Sequence, residues 1–129
     1  MNDQGIVADA SAVLALLKQE PFGEFDPEQL LGAAISSVNL TEVFEKLHSG
    51  GLSEAEANSA VDALHLQIIA FDEAQARIAA RLRPQTRRAG LSLADRACLA
   101  LGLRLDKRVV TADRIWATLD LGVEVVLIR

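Results

Sequence analysis

Four carboxylates in this chain stand where short apolar runs give way to helical ones. Asp9 ends "IVAD", Glu42 follows "SSVNLT", Asp95 lies in "LSLAD" and Asp113 follows "VVTA". Taken singly, each reads equally well as a helix cap or a turn residue, because Asp and the Ser/Thr-x-x-Asp/Glu pattern mark helix starts. Ser92 three residues before Asp95, and Asn39 three before Glu42, fit that pattern. Taken together they suggest more, because Asp9 lies between two alanines and Asp95 in an Ala/Leu helix. Two carboxylates about 4 Å apart repel by about 4 kcal/mol at an effective dielectric near 20. Four in one place would protonate or splay apart unless a cation held them. A donor set of oxygens alone suits a hard ion, magnesium with manganese as a substitute, rather than zinc. An ion held that way, with water still on it, can activate that water against a phosphodiester.

The elements that must position these acids follow from hydrophobic period and punctuation. Strands are expected at Ile6–Ala8, Ile35–Val38, Gln67–Phe71, Arg108–Thr111 and Val123–Ile128. Helices are expected over Ser11–Leu17, from Asp26-Pro27 through Leu30 and Leu31 towards Ala34, over Asn39–His48 and from Ser53 to about Leu66. A further helix follows Asp72 until Pro84 breaks or kinks it; the next spans the "LSLADRACLALG" stretch and closes on Gly102, and a short one covers Asp113–Leu119. Alternating strands and helices predict an α/β sandwich, a central mostly parallel sheet with helices on its faces. Ligands of such sheets bind outside the carboxyl ends of the strands. Asp9, Glu42 and Asp113 fall at those ends by connectivity, and Asp95 sits in the first turn of a helix that can face the same edge.

The chain's 129 residues suit one domain spanning 1–129, half of them apolar and 24% charged. One cysteine, Cys98, excludes an internal disulfide and a thiol-only zinc site. No basic-then-apolar leader and no long uncharged apolar run is apparent, so the expected compartment is the cytoplasm, without a membrane. Net charge is −5, unevenly spread: residues 1–75 hold 13 acidic and 2 basic side chains, residues 76–129 hold 5 and 11. A positive second half hints at a polyanionic partner, although a solvated helix face explains Arg77, Arg81 and Arg88 equally well. Arg96 beside Asp95 and Arg114 beside Asp113 are the better candidates for phosphate contact, because the chain puts them near the pocket rim. His48, His65, Asp72 and Trp116 read as surface, capping or core residues, and the Asn39-Leu40-Thr41 sequon as coincidence.

In this order and spacing, "IVADASAVLALL", "SSVNLTEVFEKL", "GLSLADRACLALG" and "RVVTADRIWA" resemble the PIN-domain ribonucleases, most closely the VapC toxins of toxin–antitoxin pairs. The resemblance covers essentially the whole chain. It implies a PIN-like three-layer fold and a magnesium-dependent endoribonuclease with Asp9, Glu42, Asp95 and Asp113 as its four acids. Asp9 and Asp95 would bind the metal directly, Asp113 would bind it or its water, and Glu42 would orient or deprotonate the attacking water. Ser11 and Thr111 match hydroxyl positions that hold a ligand carboxylate or water. Toxins of this kind act on RNA, are usually homodimers and are silenced by a VapB-type antitoxin whose tail covers the acidic groove.

Other chemistries fit less well. A phosphotransfer receiver needs an early acidic pair and a late lysine, but the pair is missing and no Lys lies beyond Lys107. A haloacid-dehalogenase-type phosphatase needs Asp-x-Asp after the first strand, where this chain has Asp9-Ala10-Ser11. The remaining alternative is a catalytically silent PIN-like module that binds RNA or a protein; the presence of all four acids disfavours it.

Overall fold

In the computed structural model, which describes residues 5–129, five short strands form one parallel sheet. They are β1 (Ile6–Ala8), β2 (Ala34–Ser36), β3 (Gln67–Ile69), β4 (Arg108–Thr111) and β5 (Val125–Leu127), in the order β3-β2-β1-β4-β5. Among the described residues six helices surround it: α1 (Ala10–Leu17), α2 (Ser37–Ser49), α3 (Glu54–Asp62), α4 (Glu73–Arg81), α5 (Arg83–Thr86) and α6 (Leu93–Leu105). The sheet register sets Val7 against Ala34 on one side and Val109 on the other.

Alternation along the strands sorts the core into two layers, since successive strand side chains point to opposite faces. Ile6, Ala8, Ile35 and Val110 pack with Val13 of α1, Val43 of α2 and Val61 of α3. Val7, Ala34 and Val109 pack on the other side with Cys98, Leu99 and Leu101 of α6, with Leu82, and with Trp116. The expected three-layer α/β sandwich is therefore present. β1 leads leftward to β2 and β3, and the chain then returns to β4 on β1's other side. The two directions of travel part between β1 and β4, the place where open parallel sheets form a ligand crevice.

Several expected boundaries move, each for a local reason. The helix after Pro27 is only a 3₁₀ turn, Pro27–Leu30, because Gly32 takes a left-handed φ of 76° and donates its N–H to Leu64 O at 2.9 Å. That turn frees Ala34 for β2. The second strand stops at Ser36, whose Oγ accepts from Val38 N at 3.2 Å and so caps α2. Asn39 is consequently inside α2 rather than at its start. The helix from Ser53 ends at Asp62, with His65 left-handed at φ 53° three residues on.

Gly102 does not stop its helix. It lies within α6, which continues to Leu105 and ends at the left-handed Asp106. A Cβ at Gly102 would meet Val109 Cγ2 of β4, so this glycine serves close helix–sheet approach. As expected, α4 breaks before Pro84, and the last helical stretch is a 3₁₀ turn over Arg114–Thr118. Among the described residues no helix is long and apolar enough to cross a membrane.

Candidate active site: an acidic cleft at the strand ends

Asp9 leaves β1 in extended conformation and caps α1, its Oδ1 accepting from Ala12 N at 3.0 Å and from Ser11 Oγ at 2.7 Å. Its Oδ2 accepts from Thr111 Oγ1, the last residue of β4, at 2.8 Å. Ser11 is in turn fixed from across the crevice and Thr111 from two residues along its own segment. Ser11 Oγ accepts from Ala112 N at 2.9 Å, and Thr111 Oγ1 accepts from Asp113 N at 3.0 Å. The carboxylate is thereby held between the start of α1 and the end of β4 by the hydroxyls of Ser11 and Thr111. Asp9 is only 5% exposed. Burial pushes its carboxyl up to about 6, against the three hydrogen bonds that favour the ionised form, and the charge of Asp95 adds to the rise.

Asp95 occupies the third position of α6. Ser92 Oγ accepts its N–H at 3.1 Å, and its own Oδ2 accepts from Ser92 N at 2.9 Å, a reciprocal capping box. The local capping reading of this acid is correct, and it does not exclude a second role. Asp113 caps the 3₁₀ turn through Oδ1, which accepts from Ile115 N at 3.1 Å. Glu42 sits one turn and a half into α2, where Asn39 Nδ2 donates to its Oε1 at 3.2 Å. Burial pushes the Glu42 carboxyl up; the Asn39 hydrogen bond opposes this, while the charges of Asp95 and Glu45 add to it.

Asp9, Glu42, Asp95 and Asp113 all line one open cleft of about 200 Å³, together with Ala10, Ser11, Leu14 and Lys46. Four segments far apart in the chain thus bring their acids to one edge of the sheet. They share the cleft without gathering at a point: among the described residues no three His, Cys, Asp or Glu side chains stand close enough to hold an ion. Local hydrogen bonds tether Glu42, Asp95 and Asp113 to their own elements while Asp9 is also held by Thr111 of β4, and like charges favour separation. Beneath them Cys98 is fully buried, its thiol pushed well up by burial and by the charges of Asp9, Asp95 and Glu42, and it belongs to the core.

The two arginines expected at the rim do not line the cleft. Arg96 is buried at 8% exposure, with Nη1 donating to Ala79 O of α4 at 2.9 Å, because the fourth position of α6 faces α4 rather than the strand ends. Arg114 is exposed, but its Nη1 donates to Arg129 O at 2.8 Å, across the C-terminal strand end. The cation that sequence reasoning missed is Lys46. It lies one helical turn after Glu42, and that i, i+4 spacing puts it on the same helix face. Among the described residues Lys46 takes part in neither ion pair, Arg77–Glu73 or Arg129–Glu20.

Comparisons with known proteins agree with this layout. No curated protein matches the sequence. Among solved structures the chain is similar to VapBC from Salmonella typhimurium bound to DNA, at 17% identity and a TM-score of 0.78, covering 97% of this chain and 98% of that one. VapBC2 from Rickettsia felis, bound to a DNA fragment from its promoter, gives 18% identity and a TM-score of 0.74 over 95% and 97%. VapBC-5 from Mycobacterium tuberculosis gives 22% and 0.61 over 98% of both. At such identities the likeness concerns the fold. The PIN domain itself matches residues 6–121, from β1 through the turn after Asp113. The chain belongs to the PIN-domain family.

Proposed function

We propose that this protein is a metal-dependent endoribonuclease, the toxin of a toxin–antitoxin pair, which hydrolyses RNA phosphodiester bonds in the acidic cleft. One observation carries the reading: Asp9, Glu42, Asp95 and Asp113 reach the same cleft from four separate segments, at the crevice between β1 and β4. The donor set fits magnesium or manganese. It is made of oxygens alone, and magnesium keeps several waters while taking one or two carboxylates directly, so no three acids need to meet. The Asp9 carboxyl is lifted chiefly by burial, with the Asp95 charge adding to the rise, and a bound cation would favour its ionised form against both. Asp9 and Asp95 are assigned as the direct ligands and Asp113 as a ligand through water.

When bound, the ion supplies Lewis acidity to a phosphoryl oxygen and lowers the pKa of water. The chain's own residues do the rest. Ser11 and Thr111 hold the Asp9 carboxylate in one orientation and, with Ala12 N, leave one acceptor position on Oδ2 for the ion. Glu42, its carboxyl pushed up from the usual range by burial and so made a stronger base, accepts the proton of the attacking water. The water oxygen bonds to phosphorus, the opposite phosphorus–oxygen ester bond breaks, and the departing oxygen is protonated by solvent. Lys46 offers an ammonium to a phosphate oxygen at the rim. The likeness to VapBC complexes supports a VapB-type antitoxin as the partner that covers this cleft.

Purified protein is expected to cleave single-stranded RNA in magnesium or manganese and to stop on addition of EDTA. Asp9→Asn and Asp95→Asn should keep the circular dichroism of the parent and lose cleavage. Cleavage by Asp95→Asn at the parent rate would refute the assignment. RNA binding without cleavage, in either metal, would favour the silent-module alternative.

A further inference from the structure

Asn39 is 1% exposed and lies in the third position of α2, facing α6. Its Nδ2 donates twice: to Glu42 Oε1 at 3.2 Å within α2, and to Ala94 O at 3.0 Å across to the first turn of α6. Ala94 is the residue immediately before Asp95. One amide group therefore ties the side chain of one cleft acid to the backbone that carries another. Its orientation is fixed chemically, because both neighbours are acceptors and only the NH₂ end satisfies them. The other end, Oδ1, is buried without a hydrogen-bond partner. An unpaired buried acceptor is unfavourable for folding, and a leucine of similar volume would avoid it. Stability alone does not account for an asparagine here.

We propose that Asn39 is a positioning residue of the cleft: its amide fixes Glu42 relative to the start of α6, and so sets the separation between Glu42 and Asp95. The proposal rests on the nuclease reading for its catalytic consequence, and on the two hydrogen bonds for its structural one. Glu42 is flanked by the charges of Asp95, Glu45 and Lys46, and Asn39 is the hydrogen-bond donor that holds it. Without that donor the carboxylate is free to swing away from the water it is to deprotonate, and α6 loses a cross-helix anchor beside Asp95. Misplacement of a catalytic group on this scale lowers turnover by about 10- to 100-fold. The Asn39-Leu40-Thr41 sequon is thereby explained otherwise, since this side chain is inside a helix and inaccessible.

The test compares Asn39→Leu, and the smaller Asn39→Ser in case Leu does not fold, with the parent and with Glu42→Gln. The expected result is a parent-like melting temperature, kcat down about 10- to 100-fold and KM changed less than about threefold. Combining Asn39→Leu with Glu42→Gln should lower kcat no further than Glu42→Gln alone, the signature of two residues acting as one unit. Additive losses, or a fall in stability with kcat unchanged, would overturn the proposal. A readout independent of cleavage separates it from the nuclease reading. Carbon-13 NMR of the Glu42 carboxyl should show it titrating at higher pH in Asn39→Leu, because a hydrogen bond that favours the ionised form is gone. An unchanged Glu42 titration overturns the positioning role whether or not the parent cuts RNA, whereas a shifted titration in a protein that cuts no RNA upholds it and sinks the nuclease reading alone.

Discussion

Replacing Asp9 with Asn should stabilise the metal-free protein at alkaline pH while removing its chemistry. Burial lifts this carboxyl from 3.8 to about 6, the Asp95 charge adding to the lift. An acid whose pKa is higher in the folded chain holds its proton more tightly when folded. Its favourable contribution is therefore complete below pH 3.8 and is lost as pH rises through about 6. About two pH units at ~1.36 kcal/mol each make that loss about 3 kcal/mol above pH 7. Asn keeps the oxygen that accepts from Ser11 and Ala12, turns its NH₂ toward the Thr111 hydroxyl, and does not ionise. For a domain of this size about 3 kcal/mol corresponds to a melting shift of roughly 10 °C. Scanning calorimetry in EDTA should show Asp9→Asn melting well above the parent at pH 8, with most of the gap closed at pH 4. Magnesium should narrow the gap at pH 8, since the parent gains stability by mass action and the variant does not. A variant that melts below the parent at pH 8 in EDTA, or by the same margin at both pH values, would refute the reasoning.

Lys46→Ala should raise KM for RNA several-fold and make binding less salt-dependent, lowering the log–log slope by about 0.7, while Lys46→Arg should largely preserve both; cleavage rates across a potassium chloride series check this. Arg96→Ala should leave KM unchanged and cost about 1–3 kcal/mol of stability in urea titration, since its guanidinium serves Ala79 O and not the cleft. Gly102→Ala should cost about 1–3 kcal/mol by the same titration, because the added methyl meets Val109 of β4 and the Lys107 carbonyl.

The acids were legible because two of them lie within two residues of a strand's end. Ile6–Ala8 is followed at once by an acid, and Arg108–Thr111, with Val109 and Val110 at its centre, reaches one two residues on; connectivity alone puts such residues at the carboxyl edge of a parallel sheet. Asp95 was legible through its capping box, which fixed the start of α6. What could not be read was decided by contacts between elements. Gly102 looks like a helix terminator in one dimension and is a packing glycine in three, because β4 crosses there. The segment after Pro27 carries a helix-start signal, but Gly32 and the Leu64 carbonyl divert it into β2. Arg96 follows a cleft acid in sequence, yet one residue along a helix is a rotation of about 100°, enough to turn it into α4. The same arithmetic, applied at i, i+4 from Glu42, would have found Lys46.

The central claim is that these separated carboxylates serve one hard cation. Anomalous diffraction from crystals soaked in manganese tests it most directly. The account predicts a strong peak in the cleft, bonded to carboxylate oxygens of both Asp9 and Asp95 and absent from Asp9→Asn crystals. No peak in the cleft at millimolar manganese, or one that touches neither residue, would contradict it.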